Sequence, residues 1–192
     1  MTKWNKFFDE KIRQIARQKN VLDIGGGLPF QKGLAQYQDI FKNVNYQTLD
    51  INPQCNPDIV ADIHQMSLES ESVDAVICKA VLEHVHSPQK AVDEIYRILK
   101  KQGECLAYLP FLYPYHGRKD GYKDYYRYTK DGIEYLFRNF SSIETCPVRG
   151  NLETVINLIP LPGIKIFNPL VRILDRFFSF KQVSGYYVFL VK

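Results

Sequence analysis

The chain has 192 residues, of which 45% are apolar and 14% aromatic, so it can bury one core but is too short for two ordinary domains. Its net charge of +4 is modest, and its lysines and arginines are scattered, which disfavours nucleic acid as a partner. No run approaches the roughly 18 uncharged residues of a transmembrane helix, so we expect no membrane-spanning segment.

The N-terminus and the cysteines bear on the cellular compartment. The first residues, MTKWNKFFDEKIRQ, carry charges throughout and lack the apolar run of a signal peptide. The four cysteines have no C-x-x-C spacing, and Cys78 and Cys105 lie in apolar runs where a reduced thiol packs as a small hydrophobe. We therefore expect a cytoplasmic protein.

The pattern of apolar residues predicts alternating helices and strands. Residues 1–20 carry apolar side chains at helical spacing and predict an amphipathic helix. Seven short apolar runs predict strands, namely 21–24, 46–49, 59–61, 73–78, 104–109, 142–146 and 186–191. Such an alternation favours βαβ units and a mainly parallel sheet in an α/β fold.

Capping signals mark two further helices. Ser87 and Pro88 suit a helix start, the apolar face of that helix extends to Leu99, and Gly103 lies just beyond. A second helix begins after Thr129 and is expected to bury Ile133, Leu136, Phe137 and Phe140.

Acids and glycines follow the first three strands. The first strand leads from Asp23 into Gly25, Gly26 and Gly27, and Pro29 suits the opening of a helix. Asp50 and Asp62 end the next two strands, and their carboxylates can accept hydrogen bonds from ribose hydroxyls. Because ligands bind beyond the carboxyl ends of such strands, this arrangement predicts a nucleoside site, although a glycine turn can also merely join strand to helix.

Four stretches carry a family resemblance: VLDIGGG, LDINP, ADIHQMSLESESVDAVICKAVLEHV and RILKKQGECLAYLPF. In this order and spacing they resemble the class I S-adenosylmethionine-dependent methyltransferases, particularly those that act on small molecules. The resemblance implies a single Rossmann-like domain over 1–192, with a seven-stranded, mostly parallel sheet and helices on both faces. Its cofactor-binding half would span 1–109.

The resemblance also implies which residues hold S-adenosylmethionine. Asp23 and the three glycines would cradle the methionine part, and Asp50 with Ile51 the ribose. The remaining implied contacts are Asp62 and Ile63 at the adenine, with Cys78 and Lys79 near the sulfonium. Where the family usually has a further glycine, this chain has Pro29, which would narrow the loop.

The choice of cofactor also follows from charge. S-adenosylmethionine has an ammonium group and no pyrophosphate, whereas NAD carries a pyrophosphate that glycine loops direct to a helix N-terminus. Asp23 beside the turn would repel a pyrophosphate and attract an ammonium, directly or through water. The loop therefore favours the methyl donor over NAD.

The sequence Glu83-His84-Val85-His86 resembles a metal cluster at first sight. Two alternating histidines without a second Cys or His group form an incomplete zinc site, so we expect no metal here. The resemblance instead places Glu83 and His84 facing the cofactor pocket, in a structural or a chemical role.

Residues 110–130 form a long segment without periodicity, and six tyrosines lie within it. Its length and aromatic content predict a substrate lid, with cations available for phosphate or carboxylate. The motifs PF-x-Y-P-x-H-G and D-Y-x-R-Y-T resemble a subgroup found beside surface-polysaccharide enzymes, and this resemblance implies the substrate-side residues Tyr113, His116, Asp124, Tyr125 and Arg127. The general base would be His116, with His84 second. Alternatively, the tyrosines cover the sheet edge and Asp124 simply pairs with Arg127.

An apolar insertion is predicted over 149–182, before the last strand. Its apolar face would comprise Leu170, Val171, Leu174, Phe177 and Phe178, with Lys165, Arg172, Arg176 and Lys181 around it. Such a face packs on its own domain or on a second subunit, or contacts a membrane surface or a lipid-linked substrate.

These patterns predict an enzyme that transfers a methyl group from S-adenosylmethionine, at oxygen, to a small-molecule or glycan-like acceptor. Two alternatives stay open, namely a catalytically silent module of the same fold that serves as a partner subunit, and an RNA methyltransferase. A carboxylate acceptor would need no general base.

Overall fold

Seven strands form one sheet in the order β3-β2-β1-β4-β5-β7-β6. The structure is a computed structural model that describes residues 1–119, 121–177 and 182–192. The strands are β1 (Asn20–Ile24), β2 (Asn45–Asp50), β3 (Ile59–Val60), β4 (Val73–Lys79), β5 (Leu99–Pro110), β6 (Ser142–Val148) and β7 (Gly185–Val191). Neighbouring strands run parallel except β7, which is antiparallel to both β5 and β6. The predicted seven-stranded, mostly parallel Rossmann-like sheet is confirmed.

Helices cover both faces of this sheet. They are α1 (Lys3–Ile15), α2 (Pro88–Ile98), α3 (Lys130–Leu136), α4 (Asn151–Leu158) and α5 (Asn168–Leu174). Thr129 caps α3 as predicted, because its hydroxyl accepts a hydrogen bond from Gly132 N at 3.1 Å. Residues 88–98 also form the predicted helix, although the Ser87 side chain makes no capping hydrogen bond.

The core has two layers, which follow from the alternation of side chains along each strand. In β4, Val76 and Cys78 face the layer that contains α2 and α3. Ala75 and Ile77 face the opposite layer, which contains α1 and the 3-10 helix Ala35–Phe41. Because β4 is buried on both faces, its sequence is almost continuously apolar, as expected of a central parallel strand.

Two local predictions are wrong. No α-helix opens at Pro29, since turns and the 3-10 helix Ala35–Phe41 connect β1 to β2. Phe30 and Lys32 have φ angles of 59° and 52° there, and the Phe30 ring stacks on Tyr46 with 4.4 Å between centroids. Leu99 does not belong to α2, because β5 begins at this residue and extends the predicted strand toward its N-terminus.

The insertion before β7 folds into α4 and α5. Asp175 links them, because its carboxylate accepts hydrogen bonds from the backbone N–H groups of Leu152 and Glu153 at 2.7 and 3.1 Å, at the start of α4. Of the predicted apolar face, Val171 is buried, whereas Leu170, Leu174 and Phe177 are exposed. Phe178 and Lys181 lie outside the described residues. The exposed part of the face does not pack on the described parts of its own domain, and its partner stays a prediction.

Within the described ranges, no helix combines the length and apolarity required to cross a bilayer.

Candidate active site

A large cleft lies beyond the carboxyl ends of β1, β2, β4 and β5. The strand order reverses between β1 and β4, and this is the point at which open α/β sheets bind their ligands. The cleft has a volume of about 1430 Å³, and residues of the glycine turn, of 111–129 and of α4 and α5 line it. It is large enough for a nucleoside-sized ligand and a second molecule beside it.

The glycine turn after β1 lines the cleft. Gly25 and Gly27 have φ angles of +66° and +65°, which side-chain-bearing residues rarely adopt. A Cβ atom on Gly26 would lie 2.4 Å from a carboxylate oxygen of Asp23. The turn therefore lets a ligand approach the backbone closely, as predicted from the sequence.

Asp23 lies beneath this turn and not on the cleft wall. Its side chain is buried and accepts a hydrogen bond from the Tyr46 hydroxyl at 2.6 Å. Burial raises the pKa of Asp23 to about 6. The position of Asp23 does not support a direct contact with a ligand. Its negative charge would instead act on a ligand electrostatically, across the glycine turn.

Asp50 ties the glycine turn to the end of β2. One carboxylate oxygen accepts a hydrogen bond from Gly27 N at 3.2 Å, and the other accepts one from Asn52 N at 2.9 Å. Asp50 lines the cleft, and each of its oxygens can accept a further hydrogen bond from a hydroxyl group. Ile51 beside it is 67% exposed and also lines the cleft, so both residues lie where the sequence placed them.

Asp62 and Ile63 line the cleft next to the end of β3. The Asp62 carboxylate lies 2.6 Å from Nδ1 of His64, which fixes its orientation. Burial alone would raise the pKa of Asp62, but the hydrogen bonds from His64 outweigh it and the pKa lies below its usual range. One end of the cleft therefore offers an ionised acid beside an apolar side chain.

Lys32 and Lys79 link the loop after β1 to the end of β4. The Lys32 ammonium donates to the carbonyl oxygens of Lys79 and Ala80 at 2.8 and 3.1 Å, and Lys79 donates to the Lys32 carbonyl. Burial lowers the pKa of Lys79 to about 8. Sequence reasoning missed Lys32, because no motif marks its contact with a strand end 47 residues away.

The prediction for Cys78 does not hold for its side chain. The thiol is buried in the core beside α2 and does not line the cleft. Burial raises the pKa of Cys78 to about 12, so it stays protonated.

A cluster of Glu83, His84 and His116, here called the histidine cluster, lines the same cleft. Glu83 and His84 belong to the 3-10 turn Leu82–His84 after β4, whereas His116 comes from the segment 111–129. Nε2 of each histidine lies 3.8 Å from the same Glu83 oxygen, Oε1. Burial raises the pKa of Glu83 to about 7 and lowers the pKa of His84.

The segment 111–129 is anchored to the same turn. The backbone N–H groups of Tyr125 and Tyr126 donate to the Glu83 carbonyl at 2.8 and 3.3 Å. The Tyr128 hydroxyl donates to the Leu82 carbonyl at 2.7 Å. These contacts place the segment over the histidine cluster, so the residues predicted as a lid border the cleft.

Asp124 and Arg127 hold the segment together and do not line the cleft. The Asp124 side chain is fully buried and accepts hydrogen bonds from Arg127 and from His116 N, which is 2.9 Å away. All five donors of the Arg127 guanidinium are used, on Asp124 and on the carbonyls of Tyr113, Pro114 and Tyr126. The two residues pair, as the alternative reading expected, and neither lines the cleft, so their role in substrate binding stays a prediction.

Three tyrosines of the segment remain available to a second molecule. Tyr113, Tyr122 and Tyr125 line the cleft and are between 40% and 52% exposed. The Tyr122 ring lies against His84 at 4.3 Å between centroids, and the Arg118 guanidinium lies over its face. This end of the cleft thus presents aromatic faces beside the histidine cluster.

The insertion contributes a further wall that the sequence did not indicate. Glu153 is buried and is bound by Arg172 through two hydrogen bonds of 2.9 and 2.6 Å. Both residues line the cleft together with Arg149. The spacing of apolar residues predicted an exposed apolar face in this region. It gave no indication that Glu153 and Arg172 pair at the cleft.

The family model described as "Methyltransferase domain" matches residues 22–107. These residues contain the glycine turn, the acids at the ends of β2 and β3, and the turn that carries Glu83 and His84.

Among curated proteins, the chain is similar to the ubiquinone biosynthesis O-methyltransferase of Coxiella burnetii. The two are 27% identical over 147 residues, which cover 69% of this chain and 56% of that protein. The chain therefore spans a little over half the length of this curated relative.

Solved structures show the same fold. A SAM-dependent methyltransferase from Archaeoglobus fulgidus superposes with a TM-score of 0.60 at 16% identity, covering 95% of this chain and 94% of that one. The 1,6-didemethyltoxoflavin-N1-methyltransferase of Burkholderia thailandensis, solved with 1,6-didemethyltoxoflavin and S-adenosylhomocysteine, gives 0.57 at 12% identity, covering 93% and 73%.

Proposed function

Since the chain belongs to the class I S-adenosylmethionine-dependent methyltransferases, we propose that it methylates an oxygen atom of a small acceptor bound under the segment 111–129. The observation that carries this proposal is the layout of the cleft. A glycine turn with Asp50 and the histidine cluster with exposed tyrosines line the same cleft.

The chain's own residues would hold the cofactor beside the glycine turn. Gly25 and Gly27 leave room at the turn, Asp50 would accept hydrogen bonds from the ribose hydroxyls, and Asp62 with Ile63 would bound the adenine. The buried charge of Asp23 would attract the ammonium group across the turn. When bound, S-adenosylmethionine supplies the methyl group on a sulfonium that leaves as a neutral thioether.

The acceptor would lie between the exposed tyrosines and the histidine cluster. Tyr113, Tyr122 and Tyr125 offer faces on which a sugar or another ring can stack. As the acceptor oxygen forms its bond to the methyl carbon, its proton would pass to Nε2 of His116, or of His84 as the second candidate. The name of the Coxiella burnetii relative supports oxygen as the acceptor atom.

Titration of the purified chain with S-adenosylmethionine and S-adenosylhomocysteine, with NAD as control, tests the proposed cofactor site. We expect both adenosyl compounds to bind and NAD not to bind.

Formation of S-adenosylhomocysteine with phenolic, sugar or lipid-linked acceptors then tests methyl transfer. Binding with no product from any acceptor would support the silent binding module. Preference for RNA, with binding that weakens steeply with salt, would support an RNA methyltransferase.

The variant Asp50→Ala is expected to bind S-adenosylmethionine more weakly by about 1–3 kcal/mol, or roughly 5–150-fold, because hydrogen bonds to a charged group are lost. The loss includes the anchor of Gly27 N. Calorimetric titration measures this change. Asp39→Ala is the control, since Asp39 is an exposed acid that pairs with Lys42 outside the cleft. Equal affinity of Asp50→Ala and the unaltered protein would contradict the proposed ribose contact.

A further inference from the structure

One oxygen of the histidine cluster has an unusual environment. The Glu83 side chain is 1% exposed, and its Oε2 finds no hydrogen-bond partner among the described residues. A buried carboxylate without a partner is strongly unfavourable, and protonation of this oxygen would only create a donor without an acceptor. A positively charged or hydrogen-bonding group beside this carboxylate would therefore stabilise it.

Both imidazoles present a lone pair to Glu83. Nδ1 of His84 lies 2.6 Å from the Lys123 carbonyl oxygen, and Nδ1 of His116 lies 3.1 Å from that of Pro114. Because a carbonyl oxygen only accepts, Nδ1 is the donor in both contacts, and the neutral form of each ring then has its lone pair at Nε2. Histidine ligands of metal ions are commonly oriented in this way, with the distal N–H donated to a carbonyl or carboxylate.

The distances fit a single ion. The three ligand atoms lie within 4.8 Å of one another, and each Nε2 is 3.8 Å from Glu83 Oε1. Ligands bound to tetrahedral zinc at about 2.0–2.2 Å lie roughly 3.3–3.5 Å apart. Closing the cluster around an ion therefore requires each Nε2–Oε1 distance to shorten by less than about half an ångström, and the distance between the two histidine ligand atoms by up to roughly 1.5 Å.

We propose that Glu83, His84 and His116 bind a divalent first-row transition metal ion, with Zn²⁺ as the best match. Two imidazoles and one carboxylate are the ligands of catalytic zinc sites that keep a fourth position open, whereas Mg²⁺ and Ca²⁺ prefer oxygen ligands. The sequence predicted no metal because it paired His84 with His86. In the fold, the His86 ring lies against His64 at 4.2 Å, and the partner of His84 is instead His116.

The fourth position would open to the cleft that all three residues line. A hydroxyl of the acceptor bound there would lose its proton to water more readily, because the ion stabilises the alkoxide. His116 would then be a ligand and not the base. This role rests on the proposed function, whereas the metal site itself does not.

Titration of the full chain, freed of metal with a chelator, tests the site. We expect one equivalent of Zn²⁺ by calorimetry, and with Co²⁺ the visible absorption of a four- or five-coordinate ion. No thiolate-to-cobalt charge-transfer band should appear, because the cluster contains no cysteine. His84→Ala and His116→Ala should each weaken Zn²⁺ binding by more than about 100-fold, since even groups that only orient a ligand contribute about 10–100-fold.

Matched variants separate the site from nonspecific binding. His86→Ala should leave Zn²⁺ affinity unchanged, and Glu83→Gln, which keeps the shape and removes the charge, should weaken it at least tenfold. If Glu83→Gln fails to fold, His116→Ala decides, because its side chain is 30% exposed. Absence of stoichiometric binding, or equal losses in His86→Ala and His116→Ala, would overturn the proposal. Zn²⁺ binding without S-adenosylmethionine binding would support the metal site and contradict the proposed function.

Discussion

The variant Arg127→Ala is expected to lose about 3–5 kcal/mol of the free energy of unfolding, because it leaves a fully buried carboxylate without its partner. The Arg127 side chain also fastens three carbonyls of the segment 111–129. The guanidinium holds the pKa of Asp124 well below its usual range, which shows how closely the two charges depend on each other. Urea unfolding at neutral pH, followed by circular dichroism, measures the loss.

Two further variants test the cause. Lys130→Ala removes an exposed ion pair with Glu134 in α3, directly after the segment. We expect it to lower the free energy of unfolding by less than about 1 kcal/mol. Asp124→Asn combined with Arg127→Ala removes the buried charge as well and should recover part of the stability. If Arg127→Ala is no more destabilising than Lys130→Ala, the buried pair does not hold the segment.

The variant Arg127→Ala also connects stability with the candidate site. His116 N donates to Asp124, so loss of Arg127 also loosens the backbone that carries His116. We infer that Asp124 and Arg127 are positioning residues, and that their motif reflects the construction of the segment. The resemblance implied a substrate-side role for both residues, and the pairing that the sequence also suggested is the contact that the structure shows.

The fold could be predicted because its signals are local. Most strands are short apolar runs, a glycine or an acid follows each of the first three, and α1 and α3 show helical spacing with little interruption. Because parallel strands bring their carboxyl ends to one edge, Asp50 and Asp62 could be placed at the cleft without knowledge of side-chain packing. The resemblance to methyltransferases, confirmed by the match over 22–107, depends on these same residues.

What the sequence missed depends on contacts between distant segments. Glu83 and His116 meet only because the segment 111–129 folds back on the turn after β4. The helix expected at Pro29 is replaced by turns in which Phe30 packs on Tyr46, a contact between the loop and β2. In both places tertiary packing determines the structure, and local propensity carries no information about it.

The variant Asp23→Asn is expected to be more stable than the unaltered protein at pH 8, by up to roughly 3 kcal/mol, and to differ little from it at pH 4. Burial raises the pKa of Asp23 from 3.8 to about 6, so the folded state binds this proton more tightly than the unfolded state. Between about pH 4 and pH 6 the unfolded state loses this proton while the folded state still keeps it. The free energy of unfolding of the unaltered protein should therefore fall as pH rises through this range. Asparagine mimics the protonated acid at every pH, and its amide oxygen can still accept the Tyr46 hydroxyl.

Urea unfolding at several pH values between 4 and 8 measures this difference, with the exposed Asp93→Asn as control. A stability difference that does not change with pH would contradict the raised pKa.

The variant Asp23→Asn should also bind S-adenosylmethionine more weakly at pH 8, because it loses the negative charge beneath Gly26, where an ammonium group would lie. A buried, ionised Asp23 destabilises the fold. Greater stability together with weaker cofactor binding would therefore indicate that its charge serves the site.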